Sequence, residues 1–336
     1  MTAFSILDLS SIVEGSTAGQ ALAHSLDLAR HGETLGYKRF WMAEHHGMSG
    51  IASAATAVAL AHVAAGTSTI RIGSGGIMLP NHAPIVIAEQ LGTLAALHPG
   101  RIDLGLGRAP GSDQRVAQAL RRNLNSDANQ FPRDVMELQA YFADDPALGI
   151  RAIPGAGEDV PIYILGSSLF GAQLAAALGL PFAFASHFAP GDLDEALALY
   201  RRGFTPSKQL EKPHAMAAFN IFAADSDEEA EWLASSMQQA FVSLRTGNPR
   251  QLPPPVAGYR ESRPLQARTM LDNVLQASAV GSRETVHRKV AAFLQRTQAD
   301  ELIISCQMFD HEARKRSFTI AAEVRDALAQ EEKAAA

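Results

Sequence analysis

Three titratable residues follow a short apolar run near position 40 of the 336-residue chain. The run is Arg39–Ala43, and Glu44, His45 and His46 come directly after it. An imidazole titrates near neutral pH, so a histidine at a strand end can act as a general base or donate a hydrogen bond to a transition state. A hydrogen-bonded structural histidine is the other interpretation. Because adjacent side chains of a strand point to opposite faces, we expect one of the two histidines to face a site.

Small residues mark the end of another apolar run. Gly73, Ser74, Gly75 and Gly76 lie where the run Ile70–Ser74 ends. Without large side chains, this segment would let a flat ligand approach the backbone, and a glycine there can also host a cis peptide. An ordinary flexible turn is equally compatible with these four residues.

Residues suited to a phosphate group follow two later runs. Arg108 comes after Ile102–Leu106 and carries a permanent charge that can bind phosphate through two hydrogen bonds. Ser167 and Ser168 precede a predicted helix, whose first free N–H groups, including that of Gly171, can hold an anion. Ser168 can equally be a plain N-cap of that helix. Together, Arg108 and this helix start predict a phosphate site.

Eight short apolar runs alternate with helical runs, and they predict parallel strands, which need crossover connections. Eight such units favour a closed (β/α)8 TIM barrel, an α/β fold whose functional side chains lie at the carboxyl ends of the strands. An open doubly wound sheet is the alternative, but the segment after the first run, Ser10–Gly15, has no glycine cluster for a phosphate. The runs span residues 4–9, 39–43, 70–74, 102–106, 161–165, 182–185, 215–222 and 301–306.

The alternation predicts a single domain over residues 1–330 and a flexible tail at 331–336. An insertion over about residues 225–280 separates the seventh strand from the helix Arg283–Arg296. Because barrel sites lie at the carboxyl ends of strands, an insertion there lies beside the site. We expect its loop Thr246–Arg263, which contains three consecutive prolines, to be a lid over the site. A passive insertion is the alternative.

The composition narrows the class of protein. Hydrophobic residues make up 47% of the chain, which is typical of a globular protein, and the net charge of −6 argues against nucleic acid as a partner. The single cysteine, Cys306, cannot form an internal disulfide and is expected to be a small buried apolar residue. No membrane-spanning stretch or signal-peptide pattern is visible, so a cytoplasmic protein is expected. No metal site is predicted, because the H-E-x-x-H spacing and a partner cluster of Cys or Asp are absent.

Several of these segments together resemble one known family. The chain is similar to the bacterial luciferase-like family of flavin-dependent oxidoreductases, and within it to the single-chain monooxygenase-like branch. The resemblance covers nearly the whole chain. The segments that carry it are 40–47 (FWMAEHHG), 72–80 (IGSGGIMLP), 98–111 (HPGRIDLGLGRAPG), 166–168, 179–182, 253–259 and 280–282.

The resemblance implies a (β/α)8 barrel and a monooxygenase that uses reduced FMN and O2 on an unidentified small organic substrate. It also implies a homodimer, and a separate flavin reductase is expected as a partner because the chain has no nicotinamide fingerprint. A non-prolyl cis peptide is typical of the family under the isoalloxazine ring, at the position of Gly75 and Gly76. The implied catalytic residues are His45 and Glu44, and the implied cofactor-binding residues are Gly75, Gly76, Arg108, Ser167, Ser168 and Gly171.

Two departures from the family pattern concern the cofactor site. Bacterial luciferase has a cysteine immediately before the phosphate-binding arginine, where this chain has Gly107. Gly171 stands where a threonine can occur, which weakens hydroxyl support for the phosphate. Two alternative functions remain at this point: hydride transfer with the deazaflavin F420, and non-catalytic flavin binding.

Overall fold

The computed structural model describes residues 2–108, 114–120 and 130–335, which form nine strands and eleven α-helices. The strands are Ala3–Asp8 (β1), Arg39–Met42 (β2), Arg71–Met78 (β3), Ile102–Gly107 (β4), Ile162–Gly166 (β5), Phe182–Phe184 (β6), Ala215–Ala223 (β7), Ser278–Gly281 (β8) and Glu301–Ser305 (β9). The helices are Ala18–Thr34 (α1), Thr56–Ala65 (α2), Pro84–Leu97 (α3), Gln114–Ala119 (α4), Gln130–Phe142 (α5), Leu169–Leu178 (α6), Leu193–Gly203 (α7), Asp227–Arg245 (α8), Leu265–Val274 (α9), Arg283–Thr297 (α10) and His311–Ala335 (α11).

Eight of the strands form a closed parallel barrel. Strands β1 to β7 pair in sequence order, β9 pairs with β7, and β9 also pairs with β1 to close the ring. Every pairing is parallel, so each step around the barrel needs a crossover, and helices supply it. The expected (β/α)8 TIM barrel is confirmed, and an open doubly wound sheet is excluded because the ring has no free edge.

Strand β8 is an addition to the eight-stranded barrel, and the sequence does not reveal it. The residues of β8 pair only with the carboxyl-terminal half of β7, where Asn220 lies opposite Ser278 and Ala223 opposite Gly281. The preceding residues of β7 pair with β6 and β9 within the barrel. The run was missed because it is four residues long and lies inside the insertion, so it adds no unit to the β/α alternation.

A buried ion network fills the amino-terminal end of the barrel interior. Arg39 on β2 donates from Nε to Glu301 Oε1 at 2.7 Å and from Nη1 to Asp103 Oδ2 at 2.7 Å. The same Nη1 lies 2.8 Å from the hydroxyl of Tyr163, and Trp41 Nε1 donates to Asp103 Oδ2 at 3.1 Å. One guanidinium therefore joins strands β2, β4, β5 and β9 below the layer of apolar side chains that supports the site.

Two chain segments differ from the sequence expectations or lie beyond what the structure describes. Helix α11 extends through Ala335, so most of the segment 331–336, predicted to be a flexible tail, continues the last helix. Residues Ala109, Pro110 and Gly111, which contribute to the family resemblance, lie outside the described residues. Within the described residues, no helix has both the length and the apolar character needed to cross a bilayer.

Candidate active site

A cavity of about 600 Å³ opens at the carboxyl ends of the barrel strands. Residues at or just after the ends of β2, β3, β4, β5 and β6 line it, together with side chains from the insertion. All eight residues that the sequence analysis assigns to the site lie on its wall: Glu44, His45, Gly75, Gly76, Arg108, Ser167, Ser168 and Gly171.

Glu44 is a buried carboxylate that holds two strand ends together. Its Oε1 atom accepts hydrogen bonds from His46 Nε2 at 2.7 Å and from His82 Nε2 at 2.8 Å, and its Oε2 accepts one from the Met78 N–H at 3.1 Å. Burial raises the pKa of Glu44, but the hydrogen bonds from His82, His46 and Met78 outweigh it and lower the pKa below its ordinary value. Glu44 is therefore an ionised anchor between the ends of β2 and β3.

The contact of His82 with Glu44 cannot be predicted from the sequence, because His82 lies beyond the end of β3 and nothing in its spacing links it to Glu44. Glu44, His46 and His82 bring three potential metal-ligand atoms within 4.8 Å of one another. The carboxylate oxygen accepts from both imidazoles, so these contacts already account for the cluster as a hydrogen-bonded clamp. This clamp fixes the backbone on both sides of His45.

His45 and His46 point in different directions, as the alternation along a strand predicts. The His46 ring turns to Glu44, whereas the His45 ring lines the cavity. Burial is the largest influence on the pKa of His45; Glu44 opposes it and His46 adds to it, and the net effect lowers the pKa below the ordinary 6.5. His45 is consequently neutral at neutral pH and able to accept a proton.

The floor of the cavity is backbone rather than side chain. The peptide bond between Gly75 and Gly76 is cis, and both glycines line the cavity. A Cβ atom on Gly76 would lie 2.6 Å from the carbonyl oxygen of Gly105, so the neighbouring strand requires glycine there. Ser74, expected to be part of the same surface, instead donates to the Gly105 carbonyl at 2.8 Å and is buried between strands. Only half of the predicted four-residue surface faces the cavity.

One end of the cavity has the features of an anion site. The Arg108 guanidinium lies 4.1 Å from the centre of the Phe170 ring, which holds it at the cavity wall. Ser168 occupies the N-cap position of α6, but its side chain makes no capping hydrogen bond. The first N–H groups of a helix have no partner within the helix, and they favour anions. The Ser168 hydroxyl and the start of α6 are thus available to a ligand, unlike in the plain N-cap that was the alternative.

The opposite wall comes from the insertion and is mainly apolar. Met237, Phe241 and Leu244 of α8 line it, followed by Leu252 from the expected lid segment. The segment is fixed by backbone pairing, because the Leu252 N–H donates to the carbonyl of Ile12 at 2.9 Å. Part of the loop Thr246–Arg263 therefore forms an ordered wall in this structure; its opening and closing remain a prediction.

The fold and the cavity together define an α/β barrel with a ligand site at the carboxyl ends of its strands, suited to an anion at one end and apolar at the other. The chain belongs to the luciferase-like monooxygenase family, whose model matches residues 2–301. The family resemblance of the sequence is thereby confirmed.

Individual relatives match between 82% and 97% of this chain. A protein of Escherichia coli described as a luciferase-like monooxygenase is 56% identical over 327 residues, which is 97% of this chain and 98% of the relative. The N-acetyl-S-alkylcysteine monooxygenase of Bacillus subtilis is 39% identical over 82% of this chain and 81% of its own. The crystal structure of apo-MsnO8 has a TM-score of 0.87 at 32% identity, covering 97% of this chain and 99% of that chain.

Proposed function

We propose that this protein is a flavin-dependent monooxygenase that uses reduced FMN and O2 to oxidise a small organic substrate. The observation that carries the proposal is the joint placement, on one cavity, of an anion site, a glycine floor and a neutral histidine. A flat ring that carries a phosphate tail fits this combination. The family, whose members are described as monooxygenases, supports the oxygen chemistry.

The residues present fit FMN at both ends of the cofactor. The phosphate would be held by Arg108, by Ser168, whose side chain does not cap the helix, and by the first turn of α6 with Gly171. Ser167 lies beside them. Gly75 and Gly76 would lie against the isoalloxazine ring, because their backbone lines the cavity while a Cβ atom on either would meet the barrel wall. When bound, reduced FMN supplies the two electrons with which O2 is split between product and water.

The protein's own residues would position the ligands and handle protons. His45 is neutral and faces the cavity, so it can take a proton from a bound group or donate a hydrogen bond to it. Glu44 would act by positioning, because its contacts hold the backbone around His45. The apolar wall from α8 and the loop Thr246–Arg263 would keep water away from the reacting centre.

The substrate is proposed to have a substantial apolar part. Met237, Phe241, Leu244 and Leu252 give the insertion wall a mainly apolar surface for a substrate, and Arg250 on the same segment adds one charged group. The relative from Bacillus subtilis is described as acting on N-acetyl-S-alkylcysteines, which combine an alkyl thioether with a carboxylate. Thioethers of this type are therefore the first substrates to test.

The proposal includes a separate flavin reductase as the source of reduced FMN, a cytoplasmic location and a homodimer. Helices α2 and α3 pack side by side, and they present Val58 and Leu97 at 72% and 66% exposure. Such apolar residues on neighbouring helices suit a protein interface. Sedimentation velocity should give a dimer that Val58→Glu combined with Leu97→Glu converts to a monomer; a wild-type monomer would contradict this part of the proposal.

The experiment that tests the function compares cofactors and then follows the oxygen atom. Calorimetry should show tighter binding of FMN than of F420 to the wild-type protein. The protein loaded with reduced FMN should then transfer one atom of ¹⁸O2 to N-acetyl-S-benzylcysteine, as measured by mass spectrometry. Preferred binding of F420 favours hydride transfer instead. Flavin oxidation without labelled product from any thioether of an alkyl and aryl series favours flavin binding without catalysis.

A further inference from the structure

His187 is a second histidine of the cavity wall, and the proposed function gives it no task. It follows β6, whereas His45 follows β2. In the closed barrel these two strands are four positions apart in either direction, so the two histidines come from opposite sides of the barrel mouth. Both residues nevertheless line the same cavity.

Each of the two rings has a nitrogen atom without a partner. The Nδ1 atoms of His45 and His187 are shielded from bulk water, and neither has a hydrogen-bond partner within residues 2–108, 114–120 and 130–335. Buried polar atoms of folded proteins are nearly always hydrogen-bonded. Because neither Nδ1 is open to the cavity, each ring meets a ligand through its other atoms, and two half-buried imidazoles on one cavity wall can contact the same polar group.

The surroundings keep both rings uncharged. Burial, with repulsion from a charged His45 as the second cause, lowers the pKa of His187 to about 4. Among the described groups, His45 is the charge that acts on His187, while Glu44 and His46 act on His45 with opposite signs. A neutral imidazole has one N–H donor and one acceptor nitrogen. The pair can therefore donate to, and accept from, the same ligand group.

The backbone of His187 is fixed from two directions. Asn220 on β7 donates from Nδ2 to the carbonyl oxygen of His187 at 2.8 Å and to Ser278 Oγ at 3.2 Å. The next residue, Phe188, packs edge-on against Phe241 of α8 with 6.0 Å between ring centres. The position of the ring is thus set by the barrel and by the insertion together, which suits a residue that contacts a ligand.

We propose that His187 is a second ligand-contacting residue of the cavity, and that its imidazole and that of His45 bind one neutral polar group of the ligand between them. The inference rests on the proposed function, which supplies the flavin and the thioether as ligands. The group recognised is one that both donates and accepts hydrogen bonds, such as an amide or a hydroxyl. An apolar ligand would form no hydrogen bond with either ring and would be bound less tightly.

The test follows the histidine nitrogens directly. In full-length protein labelled with ¹⁵N-histidine, long-range ¹H–¹⁵N spectra report the protonation state of each ring. His45→Gln and His187→Gln assign the two signals, and His62→Gln is the matched control, because His62 is exposed on α2 and lies off the cavity wall. The ring of His187 should stay neutral from pH 8 to pH 5.5, and the ring of His45 should become protonated only below the ordinary pKa of 6.5. FMN, or FMN with N-acetyl-S-benzylcysteine, should shift both signals together and leave His62 unchanged.

The binding measurements separate this inference from the proposed function. His187→Leu should weaken the ligand that causes the shifts by about tenfold, the effect expected for one lost hydrogen bond, whereas His62→Leu should leave its affinity unchanged. FMN binding with no response of the His187 signal to either ligand overturns the inference and leaves the proposed function intact. Titration of His187 near the ordinary pKa of 6.5 also overturns it. A protein that binds no FMN contradicts the proposed function instead. In that case a response of the His187 signal to the thioether alone would still support ligand binding by His45 and His187. The wild-type spectra decide the matter even if a variant fails to fold.

Discussion

Arg108 and Ser168 lie on the cavity wall with polar groups that can bind a ligand. The Arg108 guanidinium is stacked on Phe170 rather than embedded in the core, and the Ser168 hydroxyl leaves the start of α6 uncapped. Glu44 illustrates the opposite case, because all of its described contacts are internal. In the proposed function, the first two residues bind the cofactor, and the third holds His45 in place.

The phosphate role of Arg108 gives a prediction at the residue scale. Arg108→Ala removes a charged hydrogen-bond donor, so the affinity for FMN should fall by roughly 10- to 100-fold, the equivalent of about 1.5–3 kcal/mol. Isothermal titration calorimetry measures the change. The matched control is Arg151→Ala, because Arg151 pairs with the exposed Asp144 and is not on the cavity wall. Equal FMN affinity in wild type and Arg108→Ala would remove Arg108 from the phosphate site.

At the scale of elements, the barrel strands are visible in the sequence because each is an apolar run between helices. The same reasoning places Glu44, His45 and Arg108 after strand ends, where the structure also has them, whereas Gly75 and Gly76 lie within β3, which continues to Met78. It fails for contacts that depend on how loops fold back. His82 reaches Glu44 across the β3–α3 connection, and His187 comes near His45 only because the barrel closes. Neither proximity has a signature in residue spacing.

The insertion wall gives a prediction at the scale of elements. A Cβ atom on Gly50 would lie 2.4 Å from the carbonyl oxygen of Arg250, so Gly50→Ala should push the segment around Leu252 away from the cavity. The substrate wall would move while the phosphate site stays, so we expect KM for the thioether to rise about tenfold with little change in FMN affinity. Steady-state kinetics and calorimetry measure the two effects.

The control for this substitution is Gly191→Ala, since nothing lies within 4 Å of a Cβ atom on Gly191 and its φ angle is not positive. An unchanged KM in Gly50→Ala would show that the segment does not bind the substrate. A parallel loss of FMN affinity would show instead that the substitution disturbs the whole cavity.

At the scale of the whole molecule, the two ends of the barrel differ in what fills them. The carboxyl ends of the strands surround a ligand cavity, whereas the amino-terminal end is filled by the network around Arg39, Asp103 and Glu301. Burial raises the pKa of Glu301, but hydrogen bonds from His214 and the charges of Arg39 and Lys38 outweigh it and lower the pKa far below the ordinary 4.5. This network joins β2, β4, β5 and β9 at the end of the barrel opposite the cavity.

Both Glu301 and His187 predict that acid destabilises the fold. The pKa of each group is lower in the folded protein than in the unfolded chain, so the unfolded chain binds more protons as the pH falls. The free energy of unfolding therefore rises with pH in that range. The His187 contribution is lost between its ordinary pKa of 6.5 and about 4, and the Glu301 contribution is lost as the pH falls below 4.5. The urea midpoint should be flat above pH 7 and fall steadily towards pH 4.

Two variants separate the contributions to this acid dependence. His187→Gln should reduce the slope between pH 6.5 and about pH 5.5, while the other histidines of lowered pKa, His45, His98 and His311, maintain part of it. Arg39→Met leaves Glu301 and Asp103 without their shared partner, and it should cost about 3–5 kcal/mol at neutral pH. A urea midpoint that stays constant from pH 8 to pH 4 would contradict this account of the buried groups.

The central claim is that the cavity at the carboxyl ends of the strands is an FMN site, and a crystal structure of the protein soaked with FMN tests it most directly. The account predicts electron density for the phosphate against Arg108, Ser168 and the first turn of α6, with the isoalloxazine ring over Gly75 and Gly76 and its edge towards His45. Density for FMN at another place on the protein, or a cavity that takes up F420 but not FMN under the same conditions, would contradict it.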